Sequence, residues 1–293
     1  MAQATPESRS DEQGRRLAEE LRRARSMSGV SGRDLAHKIG ISQSKVSRIE
    51  SGLSVPSLPE VRAWAEAVQA SDETSHLLLV LTEAAHTAVL RWHSELRDRP
   101  HIQDAVETTE RSARRILTFQ PSVVPGLLQT AEYARRVFEM FQEPPYGAAQ
   151  LAAAVVARVE RQLQLHDPSR TFDFLITEAA LRWRPSTHAS LAAQIDRVSS
   201  LSTLSNINVG VLPYALQATV PYSHAFTIYE PMDDDCDVLV NVEMIHANVQ
   251  LFRESDISAF QRRWSALDRS AIHGDDARRF LHGLITEMRV SDD

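Results

Sequence analysis

The stretch "DLAHKIGISQSKVSRIESG", residues 34–52, constrains this chain more than any other. Leu35, Ala36 and Ile39 share one helical face, and Gly40 follows at once as a residue free to take positive φ. Ile41 and Ser42 then restart the chain as a hydrophobic residue followed by an N-cap. Ser31 caps the first of the two helices, and Asp34 completes an approximate capping box. Helices joined by so short a turn cross steeply, and the small Ala36 leaves room for the crossing. On the second helix, residues 43–50, Val46 and Ile49 point to one side while Ser44, Ser47, Arg48 and Ser51 occupy the other. Gln43 and Lys45 flank that polar face, and Glu50 falls nearer the buried side, a structural position.

The helices around this unit complete a small all-α domain. Leu17, Leu21 and Ala24 recur at i, i+4 and i+7, predicting a first helix over residues 12–27. Gly52 and a Pro-containing loop lead into a fourth helix with Val61, Trp64, Ala65 and Val68 inward. Short hydrogen-bonding side chains and cations on one helix face suit base edges and phosphates in a major groove about 12 Å wide. The DNA-binding set is therefore Ser42, Gln43, Ser44, Lys45, Ser47 and Arg48, with Ser47 and Arg48 assigned to phosphates. The segment "LRRARSMSGVSGRDLAHKIGISQSKVSRIESGLSVPSLPEVRAWAEAV" resembles the helix-turn-helix domain of the xenobiotic-response-element type, shared with phage repressors. Many members of that family carry a phosphate-contacting Gln at the start of the second helix, where this chain has Gly32. Ser31 or Arg33 is the substitute here.

Charge supports a division of labour. The chain of 293 residues has a net charge of −7, which repels nucleic acid at long range, but the charge is unevenly spread. Residues 1–70 hold 11 Lys and Arg against 9 Asp and Glu, whereas residues 71–293 hold 21 against 30. The chain's two lysines, Lys38 and Lys45, both lie in the opening stretch. No apolar run approaches the roughly 20 residues a membrane span needs, and the polar start "MAQATPESRSDEQGRR" lacks the apolar core of a secretory signal. A cytoplasmic protein is expected, with residues 1–10 disordered. One cysteine, Cys236, excludes an intrachain disulfide and a cysteine metal cluster.

Four regions follow: residues 1–10; a helix-turn-helix domain over 11–70; a helical connector over 71–103, with the boundary near 95–105; and an α+β domain over 104–290. Helices are predicted over residues 102–117, within 119–141, and over 148–165, 186–204, 255–267 and 275–288. Strands are predicted at "TFDFLITEAAL", "NINVGVLP", "AFTIYEP", "DVLVNVEM" and "NVQLF". The later strands are spaced for a mainly antiparallel sheet. "VPGLLQTAEYARRV", "RVERQLQL" and "FDFLITEAALRW" resemble the uncharacterised domain that follows the helix-turn-helix in many actinobacterial regulators, described as antitoxin-like and including WhiJ-like developmental regulators. That resemblance implies transcriptional control together with a small protein encoded by an adjacent gene. Since one reader module contacts only a half-site, a homodimer on double-stranded DNA is expected.

A second candidate site gathers Arg158, Arg161 and Gln162, at i, i+3 and i+4 on one helix side, with Glu178 and Glu243. These residues suit an anionic ligand or a partner's carboxylates; internal ion pairs with Glu178 or Glu243 are the competing reading. Spacing offers no metal site: the histidines are out of helical phase, and "MDDDCD" (residues 232–237) lacks the alternation of a calcium loop, suiting a solvated connection instead. Neither a G-x-S-x-G elbow nor a phosphate loop occurs, so no cofactor and no enzyme activity are expected. A small-molecule sensor and an enzyme concealed in the α+β domain are the alternatives. Both require a polar cavity near Arg161, Glu178 and Glu243.

Overall fold

The computed structural model describes residues 6–52, 54–85, 87–91, 109–141, 147–232, 238–244 and 247–290. They form two compact units. The first comprises the described residues of Met1–Ser94, Pro231–Asn241 and His246–Ala259; the second comprises those of Glu95–Glu230, Val242–Ile245 and Phe260–Asp293. The acidic run at 233–237 and the boundary expected near 95–105 lie outside the described residues.

In the first unit, α1 (Pro6–Ser28), α2 (Gly32–Ile39), α3 (Gln43–Glu50), α4 (Leu58–Ala67) and α5 (Asp72–Ala85) surround one core. Leu21, Leu35, Ile49, Val61, Trp64 and Leu78 are its most enclosed members. The i, i+4 spacing of Leu17 and Leu21 turns α1 inward, and the helix begins at Pro6, well before the expected residue 12. Ser31, Ser42 and Ser57 each cap a helix, accepting from the N–H groups of Asp34, Lys45 and Glu60. At Gly40 the backbone takes φ 73°, the left-handed conformation that ends α2 and lets Ile41 N–H reach the Ala36 carbonyl. Strand β1 (Thr87–Arg91) departs from the expected continuous helical connector; it pairs antiparallel with β7 (Ala247–Leu251), whose other neighbour is β6 (Leu239–Glu243). The β-branched and apolar residues of "TAVLR" explain a strand in that position.

The second unit is built on a parallel core. Strand β2 (Ala113–Gln120) pairs in parallel with β3 (Thr171–Thr177), and β3 in parallel with β4 (Ile207–Leu212). Strand β5 (Phe226–Pro231) flanks β2 on its other side. Between β2 and β3 run a 3-10 turn (Gly126–Leu128), α6 (Ala131–Phe141), α7 (Ala148–Arg161) and a second 3-10 turn (Gln162–His166). Between β3 and β4 run α8 (Glu178–Arg182) and α9 (His188–Leu201), and α10 (Glu254–Asp268) and α11 (Gly274–Val290) follow the strands. Helix α11 packs on α9 and on β4. At Gly210 of β4 there is no room for a side chain: a Cβ would lie 2.6 Å from both His273, just before α11, and Leu175 of β3.

Two sequence expectations are corrected here. The sheet is mixed rather than mainly antiparallel, because helical crossovers join β2, β3 and β4 in parallel and bury β3 on both faces. Phe172 to Thr177 are accordingly all buried. The helix expected over residues 102–117 is confined, among the described residues, to one turn at 109–112, and "ARRILTFQ" is β2. The unbroken burial of Ile116 to Phe119 is a strand requirement met by neighbours on both sides.

Candidate nucleic-acid interface

The polar face of α3 is built by elimination. Val46 and Ile49 are buried in the first unit's core, which fixes the rotation of the helix. That rotation leaves Gln43, Ser44 and Ser47 exposed along one side, with Arg48 half-buried beside them. Arg33 at the start of α2 is exposed as well. The Ser42 hydroxyl accepts the Lys45 N–H at 3.1 Å, so its first task is to begin the helix. Ser31 does the same for α2 and donates to Asp34 Oδ2 at 2.7 Å. Of the two replacements considered for the missing helix-start Gln, Arg33 is therefore the one whose side chain faces solvent without a capping task.

Two ion pairs hold α3 at its ends. At the far end, Arg25 of α1 grips Glu50 with Nε to Oε1 at 2.5 Å and Nη2 to Oε2 at 2.9 Å, and its third nitrogen donates to the Val30 carbonyl. Glu50 is thus a brace between helices, in keeping with its place near the buried side. At the near end, Lys45 Nζ lies 3.0 Å from Glu60 Oε1 on α4, and only 16% and 18% of the two side chains are exposed. Glu60 also accepts from the Ser57 N–H at 2.8 Å and the Ser57 hydroxyl at 3.0 Å. Burial pushes the Glu60 carboxyl up, but the Ser57 and Lys45 donors more than offset this and leave it below the usual carboxylate range. Glu60 was absent from the sequence-derived site. The signal was there, as the S-x-x-E pattern of Ser57 and Glu60 marks a capping box, but nothing in it says that a lysine from another helix completes the cluster.

The second candidate site separates into three groups. Arg161, with 11% of its side chain exposed, bonds Glu110 through two nitrogens, at 3.0 Å and 2.5 Å; Gln164 donates to the same carboxylate at 2.7 Å. Burial pushes the Arg161 guanidinium down and the Glu110 charge outweighs that, with Glu243 adding to the local field. The Tyr229 hydroxyl, wholly buried nearby, is held far above its usual range by the loss of solvent and by Glu110. Arg158 lies 4.1 Å over the Phe138 ring and donates to Gln129 Oε1 at 2.8 Å. Gln162 donates to the Gln129 carbonyl at 2.6 Å and receives Arg197. Glu178 bonds elsewhere, accepting from Arg182 Nε at 2.6 Å and from the Tyr214 N–H at 2.8 Å. Arg158 and Gln162 meet through Gln129, while Arg161 and Glu178 have different partners. Glu110 and Gln129, which organise these contacts, stand far from them in the sequence, and no local pattern points to either.

Buried amides fix the segment between β2 and α6. Gln194 donates to the Leu128 carbonyl and accepts the Thr130 N–H, and Gln129 donates to the Val124 carbonyl. The Tyr133 hydroxyl accepts from Val124, and burial raises its pKa to about 12. These bonds explain the "VPGLLQTAEY" stretch: a largely buried turn must have its carbonyls and N–H groups satisfied by side chains.

Residues 16–78 match the family described as a helix-turn-helix domain, and residues 103–283 match the family described as a domain of unknown function, DUF5753. No curated protein matches the chain. A solved structure described as TrmBL2, an archaeal chromatin protein with a novel mode of DNA binding, aligns with 83% of this chain and 87% of its own at 12% identity, with a TM-score of 0.30. So loose a likeness carries no argument about this chain. No helix among the described residues is long and apolar enough to cross a membrane. With a helix-turn-helix domain at its start and the larger domain covering more than half of its length, the chain belongs to the DUF5753 family.

Proposed function

We propose that this protein is a sequence-specific, non-enzymatic transcriptional regulator of the xenobiotic-response-element type, reading the major groove of double-stranded DNA with the exposed polar face of α3. The observation that carries this reading is the rotation of α3: its apolar residues are locked in the core while Gln43, Ser44 and Ser47 are exposed on one side. Gln43 and Ser44 near the helix start supply base contacts, and Ser47, Arg48 and Arg33 contact phosphates. The protein acts as a homodimer, because one module spans a half-site and buries too little surface to discriminate well.

The acidic second domain is the regulatory one, antitoxin-like in that it answers to a small protein encoded beside it. Helices α6 and α7 supply the surface. Met140, Val156 and Val159 are exposed there, with Leu163 in the turn that follows α7, and the inward contacts of Arg158, Arg161 and Gln162 give that surface its base. Arg158 and Arg161 support the partner site from beneath.

The reading is tested by selecting duplexes from a random pool with the full chain and then titrating variants on the selected site. Gln43→Ala or Ser44→Ala weakens the selected duplex by about 1 to 3 kcal/mol and leaves a scrambled duplex unchanged. Arg48→Ala weakens both and lowers the salt slope by about one unit. Selection without enrichment, or unchanged binding by all three variants, removes α3 as the reader. Light scattering that finds a monomer with one protein per site removes the dimer, and a titration with the adjacent-gene product that shows no binding removes the partner.

A further inference from the structure

Lys45 stands in the first turn of α3 between Gln43 and Ser47, where a cation would be expected to reach DNA. Its ammonium instead sits 3.0 Å from Glu60, with more than four-fifths of both side chains covered. Neither partner is loosely held. The Lys45 backbone is fixed by the Ser42 cap and by burial of the adjacent Val46. The Glu60 carboxylate is fixed by the two bonds from Ser57 at the start of α4. An ammonium leaving this site for a phosphate would abandon a partly desolvated carboxylate beside the incoming backbone, and an uncompensated charge there is costly.

Resting on the reading that α3 enters the major groove, we propose that Glu60 withholds Lys45 from DNA. The pair is an electroneutral part of the reading head, and Glu60 is a positioning residue that sets specificity. One fewer cation is offered to phosphates, so sequence-independent affinity is lower, and discrimination falls to the exposed hydrogen-bonding groups of Gln43, Ser44 and Ser47. The arrangement also separates the chain's two lysines in function, because Lys38 on α2 is exposed while Lys45 is covered.

The test compares the full-length protein with Glu60→Gln and with the double variant Lys45→Met/Glu60→Gln. Binding is measured by fluorescence anisotropy across a salt series on the selected duplex and on a scrambled one. Glutamine at position 60 can still accept from Ser57 and so keeps the capping box, but it removes the carboxylate charge that faces the ammonium. Glu60→Gln is expected to bind the scrambled duplex more tightly, to steepen the salt dependence by about 0.9 in log–log slope, the value for one further phosphate neutralised, and to narrow the preference for the selected site. The double variant, which removes the pair without changing the net charge, is expected to keep the wild-type slope. A wild-type slope in Glu60→Gln overturns the proposal. So does a double variant whose slope is shallower by about one unit, because Lys45 would then already be on a phosphate. Should Glu60→Gln fail to fold, the double variant alone decides. Wild-type protein that shows no preference for any duplex fails earlier, removing the DNA reading itself and this inference with it.

Discussion

Helices α3 and α7 offer much the same side chains in sequence: arginine, glutamine and short residues spaced at i, i+3 and i+4 around a few apolar positions. In α3 the apolar pair Val46 and Ile49 faces the core, and Gln43, Ser44 and Ser47 are turned out to solvent. In α7 and the 3-10 turn after it, exposed positions include Val156, Val159 and Leu163, while Arg161 and Gln162 reach inward to Glu110 and Gln129. Polar side chains on a helix therefore become tools or struts according to which side the core takes, and a helix with several polar residues does not announce that side. The ion pairs of α3 show both uses at once. Arg25 with Glu50 and Lys45 with Glu60 brace the ends of the helix, and the middle of its polar face stays open.

The largest effect that separates the two regions is expected at Arg161. Replacing it with Ala leaves the Glu110 carboxylate buried and uncompensated, a loss of about 3 to 5 kcal/mol in unfolding free energy, measured by urea denaturation. If Arg161→Ala unfolds at the wild-type midpoint, the strut assignment is wrong and the inward face of α7 resembles the open face of α3. The converse variant, Gln43→Ala, is expected to cost about 1 to 3 kcal/mol of binding to the selected duplex with no change in melting temperature. A melting temperature that falls along with affinity would show Gln43 to be structural, erasing the contrast. Between these lies the Ser57 cap, which serves the fold and the Lys45–Glu60 pair together. Ser57→Ala is expected to destabilise by about 1 kcal/mol, read from the thermal midpoint.

The smallest effect is a pH dependence. Glu60 has a folded-state pKa below its unfolded one, so the stability it contributes is fully present above the unfolded value and lost as pH falls through the folded value. The gap in melting temperature between wild type and Glu60→Gln is therefore expected to be widest at neutral pH and to close in the acid range below the ordinary carboxylate pKa. A gap that is constant with pH would mean that the ionised carboxylate adds nothing to the folded state.

The helix-turn-helix resemblance is matched by family comparison over residues 16–78, and the region after it is matched over 103–283 by a domain of unknown function, which carries no antitoxin-like role with it. The α2–turn–α3 unit was legible to the residue, since Gly40, Ser42 and the Val46–Ile49 pair each have a local physical task that only a few residue types perform. Strands β3 to β7 were legible as well from their runs of β-branched and aromatic residues. Their pairing was not. The buried run of "TFDFLIT" suits a parallel strand covered by helices, yet the close spacing of the strands after Gly210 suggested a mainly antiparallel sheet. Strand β2 was missed because its strand geometry depends on β3 lying alongside, a pairing with residues far along the chain.

By itself, then, the sequence determined what is local: where helices start and stop, which residues of α3 must be buried, and that its remaining side chains suit a groove. Capping, glycine conformation and hydrophobic period act within a few residues, so they can be read in order along the chain. Tertiary structure decided the pairings that span tens of residues: Arg161 with Glu110 across 51 positions, Arg25 with Glu50 across 25, and β2 beside β3. The choice of Glu60 as the partner of Lys45 belongs with these. A charge seeks whichever opposite charge the fold brings within reach in a partly dry site, and the energy of that encounter depends on distance and burial, which no linear spacing encodes.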